Sequence, residues 1–211
     1  MNLCHAKAVI RCHEMVEGGK IGPVPGYVPI YPKTCNPGDQ IAAMNAEELT
    51  QKIWNDTYVY GEYSNFVKKY WETHDIHPDI RPEDLELMKK AKIDFISVNC
   101  YRSNTAYESK IDSERQEYGL NKFGIKGQMQ WPNVPGEYAL CTNPYVEYTD
   151  WDWEIDPQAM RYSLRYLWNH YRLPMMITEN GFGANETKDA DGQVHDTARI
   201  EFLRDQIYHV G

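Results

Sequence analysis

The stretch of sequence that decides the fold is LPMMITENG, residues 173–181. Pro174 ends a preceding helical segment, and residues 175–177 form a short apolar run typical of a strand buried on both faces. The run is followed by Thr178 and then by a carboxylate, Glu179. In parallel α/β proteins the carboxyl ends of the strands carry the catalytic groups. Glu179 is therefore the first candidate for a catalytic residue.

Composition limits the partners that this chain can have. Its 211 residues carry a formal net charge of −9 at pH 7, whereas nucleic acids and anionic membranes attract basic surfaces. No apolar run approaches the roughly 18 residues of a transmembrane helix, and no signal peptide is recognisable. Five cysteines without a framework spacing indicate reduced thiols. We expect a cytoplasmic protein that binds neither nucleic acid nor membrane.

Periodicity along the chain predicts alternating strands and helices. Strands are expected at residues 20–24, 94–101 and 175–179, and helices at residues 2–16, 45–74, 81–91, 156–171 and 196–210, with Asn45, Asp156 and Asp196 as N-caps. Residues 102–149, which include Trp131, lack periodicity, and a connection of this length often forms a binding wall. The alternation favours an α/β fold with a parallel sheet covered by helices.

Residues 177–181 resemble glycoside hydrolase family 1, the retaining β-glucosidases and 6-phospho-β-glucosidases built on a (β/α)8 barrel. In that family a Thr-Glu-Asn-Gly segment on the seventh strand carries the catalytic nucleophile. Residues 94–101 resemble the sixth strand, whose Asn-Tyr-Tyr ending corresponds to residues 99–101 here. Residues 151–157 resemble a Trp-containing segment that leads to an Asp-Pro helix start, and residues 22–24 resemble the fifth-strand region.

The resemblance implies a partial (β/α)8 TIM barrel, approximately strands 5 to 7 with their helices. Residues 1–211 would form a single incomplete domain that lacks the N-terminal half and the last strand, since such chains with insertions exceed about 400 residues. The family's acid/base glutamate lies in an Asn-Glu-Pro motif, which this chain does not contain. Asn185-Glu186 is rejected as that motif because Thr187 follows it.

The resemblance also assigns roles within the site. Glu179 would be the nucleophile and Tyr101 would position it, while Asn99, Asn180 and Trp153 would contact the substrate. The simpler interpretation makes Glu179 a turn residue and Trp153 a packing anchor. No metal or organic cofactor is expected. The cysteine–histidine pairs at 4–5 and 12–13 share one helix but lack further ligands at a metal-site spacing.

The expected activity is hydrolysis of β-glucosides by double displacement. Residues 181–184 and a cytoplasmic location favour the branch that takes 6-phospho-β-glucosides. The small-molecule partner would then be a β-glucoside or its 6-phosphate. Alternatives are a plain β-glucosidase fragment, a non-catalytic sugar-binding or interaction remnant, and a split enzyme that needs a complementary half chain; a homo-oligomer also stays open. The isolated chain is expected to be inactive without the acid/base residue.

Overall fold

A computed structural model of the chain describes residues 1–111 and 133–211. Trp131 of the predicted binding wall therefore lies outside the described residues. The helices are α1 (Asn2–Met15), α2 (Pro37–Glu47), α3 (Ile53–Tyr60), α4 (Asn65–Thr73), α5 (Pro82–Lys90), α6 (Gln158–Tyr171) and α7 (Thr197–Val210), and a π-helix (Glu48–Lys52) joins α2 to α3. The strands are β1 (Ile30–Pro32), β2 (Ile96–Asn99), β3 (Asn104–Tyr107), β4 (Ala139–Cys141), β5 (Glu147–Tyr148), β6 (Glu154–Ile155) and β7 (Met175–Glu179).

The chain divides into two compact units. The first unit comprises Met1–Tyr27, Glu47–Asn99 and Leu167–Thr178. The second unit comprises Val28–Ala46, Cys100–Tyr166 and Glu179–Gly211, of which residues 112–132 are not described. Each unit draws on three separated parts of the sequence, so neither corresponds to a contiguous domain.

Helices α1, α3 and α5 pack together in the first unit. Val9 and Met88 are buried at these contacts, as their helical spacing predicts. Strand β2 pairs with β7, and the Ile96 N–H donates to the carbonyl of Pro174. Ile96 and Val98 are almost completely buried. Strand β2 is therefore the buried strand of this unit.

The predicted strand at residues 20–24 does not form a regular ladder. The segment runs beside β2, since Asp94 N–H donates to Ile21 O and Ser97 N–H donates to Pro23 O. No strand is assigned there, however. Pro23 and Pro25 have no N–H to donate, so alternate rungs of a ladder cannot form. The prediction was right about an extended segment and wrong about a strand.

The single long helix predicted for residues 45–74 is wrong. Helix α2 begins upstream at Pro37, and Asn45 lies inside it, where its amide donates to the Glu137 carboxylate rather than capping a helix. Helix α3 ends at Gly61, which adopts a left-handed φ of 74°. Ser64 then caps α4 by accepting a hydrogen bond from the Val67 N–H. Glycine tolerates this conformation at little cost, so the apolar stripe is divided between separate helices.

The second unit contains short strands that the sequence did not predict. Strand β3 pairs parallel with β1 and antiparallel with β4, and β5 pairs antiparallel with β6. These strands are two to four residues long, too short to show a period. The described residues therefore form three small sheets rather than the one parallel sheet that was expected, although β1 and β3 are a parallel pair.

Two predicted helix caps have different outcomes. Asp156 accepts a hydrogen bond from the Gln158 N–H and caps α6 as predicted. Asp196 stands at the start of α7 but makes no cap hydrogen bond, because its carboxylate pairs with Arg199 instead. Within the described residues, no helix combines the length and apolar character that crossing a bilayer requires.

Strand β7 is exposed, contrary to the predicted burial on both faces. Met176 retains 52% and Ile177 40% of their accessible surface. The reason is the pairing, because β2 is the one strand that borders β7 within the described residues. The apolar run therefore identified the strand but not its surroundings.

Candidate active site

The carboxyl end of β7 supplies Glu179, which is held from the segment that follows β2. The Tyr101 hydroxyl donates to Oε2 of Glu179 at 2.6 Å. The Cys100 N–H donates to the Glu179 carbonyl at 3.1 Å, and the Asn180 amide donates to the Cys100 carbonyl at 2.7 Å. Backbone and side chain are thus fixed at the same point. Glu179 has one carboxylate oxygen bound to a phenol and an exposed side chain.

The short contact to Glu179 changes the acidity of the phenol. The hydrogen bond to the Glu179 carboxylate is the largest cause that raises the pKa of Tyr101 to about 12, with desolvation and the negative charge adding to it. A distance of 2.6 Å is typical of a hydroxyl bound to an ionised oxygen. Tyr101 therefore stays protonated at neutral pH and acts as a permanent donor.

Two tryptophans stand next to Tyr101. The rings of Trp153 and Tyr101 lie 5.6 Å apart at 57°, and Trp151 meets Trp153 edge-on at 5.5 Å. The buried Thr149 hydroxyl accepts hydrogen bonds from the backbone N–H groups of both tryptophans, at 3.2 Å each. Asp152 between them has a φ of 59°, a conformation that aspartate tolerates better than most residues. This turn presents both rings on one side.

The aromatic rings line an open pocket of about 470 Å³, within the range of small-molecule sites. Its walls are formed by Tyr101, Trp151, Trp153, Asn180, Gly181, Phe182, Gly183, Arg199 and Leu203. A Cβ on Gly183 would come within 2.6 Å of the Trp151 ring, so only glycine allows this close packing. Arg199 is neutralised by Glu186 and Asp196. The pocket is thus mainly aromatic, with the Glu179 carboxylate bonded to one of its walls.

The structure brings together four of the five predicted site residues in the second unit. Tyr101 is hydrogen-bonded to Glu179, and Asn180 is hydrogen-bonded to the Cys100 carbonyl. Trp153 packs on Tyr101. Asn99 belongs to the first unit, where its amide oxygen accepts a hydrogen bond from the Thr178 hydroxyl at 2.6 Å. The catalytic and substrate-binding roles of these residues stay predictions.

The sequence interpretation missed several residues of the pocket. Trp151 lies in the segment already recognised at 151–157, and its spacing of two from Trp153 was a usable signal. Gly183 could have been suspected from the glycine-rich end of β7. Thr149 gave no signal, because its role depends on a turn that brings its hydroxyl under two amides.

Two other groups of residues considered in the sequence, the Asn185-Glu186 candidate and the possible metal ligands, can now be placed. Glu186, the rejected acid/base candidate, pairs with Arg199. Across residues 1–111 and 133–211, no group of three or more metal-ligating side chains is found. The arrangement offers a positioned carboxylate beside an aromatic wall, which suits attack on a sugar whose C–H face lies on the rings.

Comparison with known proteins identifies the family to which the chain is similar. The sequence profile of glycosyl hydrolase family 1 matches residues 1–211. The aryl-phospho-beta-D-glucosidase BglC of Bacillus subtilis (strain 168) is 38% identical over 205 residues, which cover 97% of this chain and 43% of that enzyme. The 6-phospho-beta-glucosidase of Dickeya chrysanthemi is 31% identical over 210 residues, covering 98% and 40%.

Solved structures agree on the fold. A beta-glucosidase from Exiguobacterium marinum matches with a TM-score of 0.78 and 26% identity, over 99% of this chain and 43% of that one. The solved structures matched are TIM-barrel β-glucosidases. The chain spans about two fifths of the length of the relatives that it matches. From its whole length and from these relatives, the chain belongs to glycosyl hydrolase family 1.

Proposed function

We propose that this chain is the part of a retaining β-glycosidase that carries the nucleophile, Glu179. The observation that carries the proposal is the 2.6 Å hydrogen bond from Tyr101 to the Glu179 carboxylate in a family 1 chain. One oxygen of the carboxylate is held by the phenol, which leaves the other to attack the anomeric carbon. The reaction class is hydrolysis of a β-glycosidic bond without a metal or an organic cofactor.

The chemistry is a double displacement. Glu179 attacks the anomeric carbon while the bond to the aglycone oxygen breaks, and a glycosyl ester forms; water then cleaves that ester and returns the carboxylate. A second carboxyl group, about 5–5.5 Å from the first, must protonate the leaving oxygen and later activate the water. Tyr101 keeps its proton throughout, because its raised pKa lies far above neutral pH. Its role is to orient Glu179.

The motif that carries the second carboxyl group in this family does not occur in the 211 residues. The 211 residues contain no Asn-Glu-Pro segment, and Glu186 is committed to Arg199. Loss of a general acid typically costs about 10²–10⁴-fold in rate. We infer that this polypeptide alone hydrolyses unactivated glucosides very slowly or not at all, and that turnover requires a complementary half of the barrel.

The substrate class that we propose is a 6-phospho-β-glucoside. The names of the relatives support this choice, since the matches include an aryl-phospho-β-D-glucosidase at 38% identity and a 6-phospho-β-glucosidase at 31%. Trp153 and Tyr101 would receive the apolar face of the substrate, and Asn180 would lie beside it, directly after strand β7. We place the enzyme in the cytoplasm, where five free thiols stay reduced.

The finer fold assignment follows the same reasoning. We propose that residues 1–211 are one incomplete (β/α)8 domain in which β2 corresponds to barrel strand 6 and β7 to barrel strand 7. The order of the strands and the position of Glu179 at the end of β7 support it. The extended segment before β1 would then occupy the place of strand 5.

Nitrophenyl β-glucoside and its 6-phosphate test the proposal directly. Nitrophenolate needs little acid help as a leaving group, so its release reports on the nucleophile. We expect slow release from the 6-phosphate by the unaltered chain, loss of that release in Glu179→Gln, and no change in Glu147→Gln, which removes an exposed carboxylate of β5. Release that persists in Glu179→Gln would refute the assignment of the nucleophile.

Binding without any release from either substrate would instead favour the non-catalytic sugar-binding alternative. Preference for the unphosphorylated glucoside would refute the phospho-glucoside branch and leave the nucleophile in place. The two parts of the proposal therefore fail independently.

A further inference from the structure

A buried charged pair is formed by the residues that directly follow two aromatic residues of the pocket in the sequence. Arg102 follows Tyr101 in the chain, and Glu154 follows Trp153. Nη1 of Arg102 and Oε2 of Glu154 are 3.7 Å apart, and their side chains retain only 9% and 4% of their accessible surface. The same two chain segments therefore meet twice, through the Tyr101 and Trp153 rings and through the opposite charges of the next residues.

This pair is an expensive way to join two segments. Burial of two charges costs free energy that their attraction at 3.7 Å must first offset. Oε2 of Glu154 has no hydrogen-bond partner among the described residues. Apolar side chains of similar volume would stabilise the same contact better. The pair is therefore poorly explained as a device for stability alone.

We propose that Glu154 is a positioning residue, which through Arg102 sets the gap between the Tyr101 and Trp153 rings and so the width of the sugar pocket. The opposite charges draw the two segments together, and the rings on those segments stand 5.6 Å apart. Glu154 follows Trp153 directly, so a shift of Glu154 moves the backbone that carries the Trp153 ring. The Trp153 backbone N–H is itself held by the Thr149 hydroxyl. The inference rests on the proposed function only in treating this pocket as the sugar site.

The charge on Glu154 is sensitive to pH near neutrality. Burial is the largest cause that raises its pKa to about 7, against the lowering effect of Arg102. Among the described residues, the titratable groups that act on Glu154 or respond to it are Arg102, Asp156, Tyr148 and Cys141. Tyr148 and Cys141 have pKa values raised above their ordinary ranges, so neither ionises at neutral pH. The attraction to Arg102 is therefore present above about pH 7 and lost below it.

Nuclear magnetic resonance of the full 211-residue chain tests the inference without any need for catalysis. The probes are the indole N–H resonance of Trp153, assigned with Trp153→Phe, and the cross-relaxation between the Tyr101 and Trp153 rings. From about pH 5.5 to about pH 8.5, we expect both probes to change with a midpoint near 7 in the unaltered chain. In Glu154→Gln both should be independent of pH, whereas Glu147→Gln should behave as the unaltered chain does.

Ring-to-ring cross-relaxation that stays constant through the titration of Glu154 would overturn the proposal. A pH response that survives in Glu154→Gln would overturn it as well. If that variant does not fold, the ¹³C titration of the Glu154 carboxyl group in the unaltered chain gives its midpoint, and a Trp153–Tyr101 signal that stays constant across that midpoint overturns the proposal. None of these outcomes depends on Glu179, so failure here is distinct from failure of the proposed nucleophile.

Discussion

Glu154→Gln should make the chain more stable at alkaline pH. The folded state raises the pKa of Glu154 from its ordinary 4.5 to about 7, which means that ionised Glu154 disfavours folding. The unfolded chain releases this proton first, so the free energy of unfolding falls as pH rises from about 4.5 to about 7. The shift corresponds to about 3 kcal/mol once both states have ionised, at about 1.4 kcal/mol per pKa unit.

The assay is urea unfolding of both chains at about pH 5 and about pH 8, followed by circular dichroism. The difference in the free energy of unfolding between the variant and the unaltered chain isolates the effect of Glu154, because carboxylates such as Asp94 and Asp39 titrate alike in both. We expect the stability advantage of Glu154→Gln to grow by about 2–3 kcal/mol between these pH values.

The opposite result has a definite meaning. If attraction to Arg102 outweighs the burial cost, removing the charge takes away the carboxylate that faces the buried guanidinium and destabilises the fold by about 3–5 kcal/mol. The separation of 3.7 Å and the unpartnered Oε2 argue against that balance. A variant that is less stable at about pH 8 would therefore refute the reasoning.

Three further predictions concern the site. In Glu179→Gln the pKa of Tyr101 should fall from about 12 toward its ordinary 10.0, seen by ¹³C titration of the phenol; an unchanged value would show that the two groups do not interact. Tyr101→Phe should slow nitrophenol release about 10- to 100-fold, since a hydrogen bond to a charged group contributes about 1.5–3 kcal/mol; a change below about threefold would exclude a positioning role, and Tyr145→Phe serves as the exposed control. Phosphorylated cellobiose should not be hydrolysed by the isolated chain, as followed by sugar analysis, and measurable turnover would contradict the need for a second carboxyl group.

Strands and helix starts could be predicted where one short segment contains both the apolar pattern and the polar residues that end it. The strand ending in Glu179 and the strand leading to Tyr101 were identified from apolar runs that stop at polar groups, and both strands are confirmed. The start of α6 just after Asp156 was predicted from that capping residue and the proline that follows it. These signals are local, so tertiary structure did not need to be known.

The features that escaped prediction depend on contacts between distant segments. Gly61 breaks a helix stripe that continues in the sequence, because its surroundings admit no side chain: a Cβ there would lie 2.4 Å from the Lys89 backbone. Strands of two or three residues, such as β5 and β6, exist only through their pairing. Burial also depends on neighbours, and for this reason the apolar residues of β7 were wrongly expected to be buried. In the site, Thr149 could not be predicted either, because its role depends on the turn that brings its hydroxyl to the backbone N–H groups of two tryptophans.

The exposure of β7 has a consequence for how the protein must be handled. Within the described residues one side of this strand presents peptide groups that no other strand occupies, next to the exposed Met176 and Ile177. Such an edge accepts a strand from another molecule, which leads to aggregation. The net charge of −9 opposes this by mutual repulsion, but at an ionic strength of about 0.1 M repulsion is screened beyond about 10 Å. Purified chains should therefore stay dispersed in dilute buffer and become turbid as salt is added.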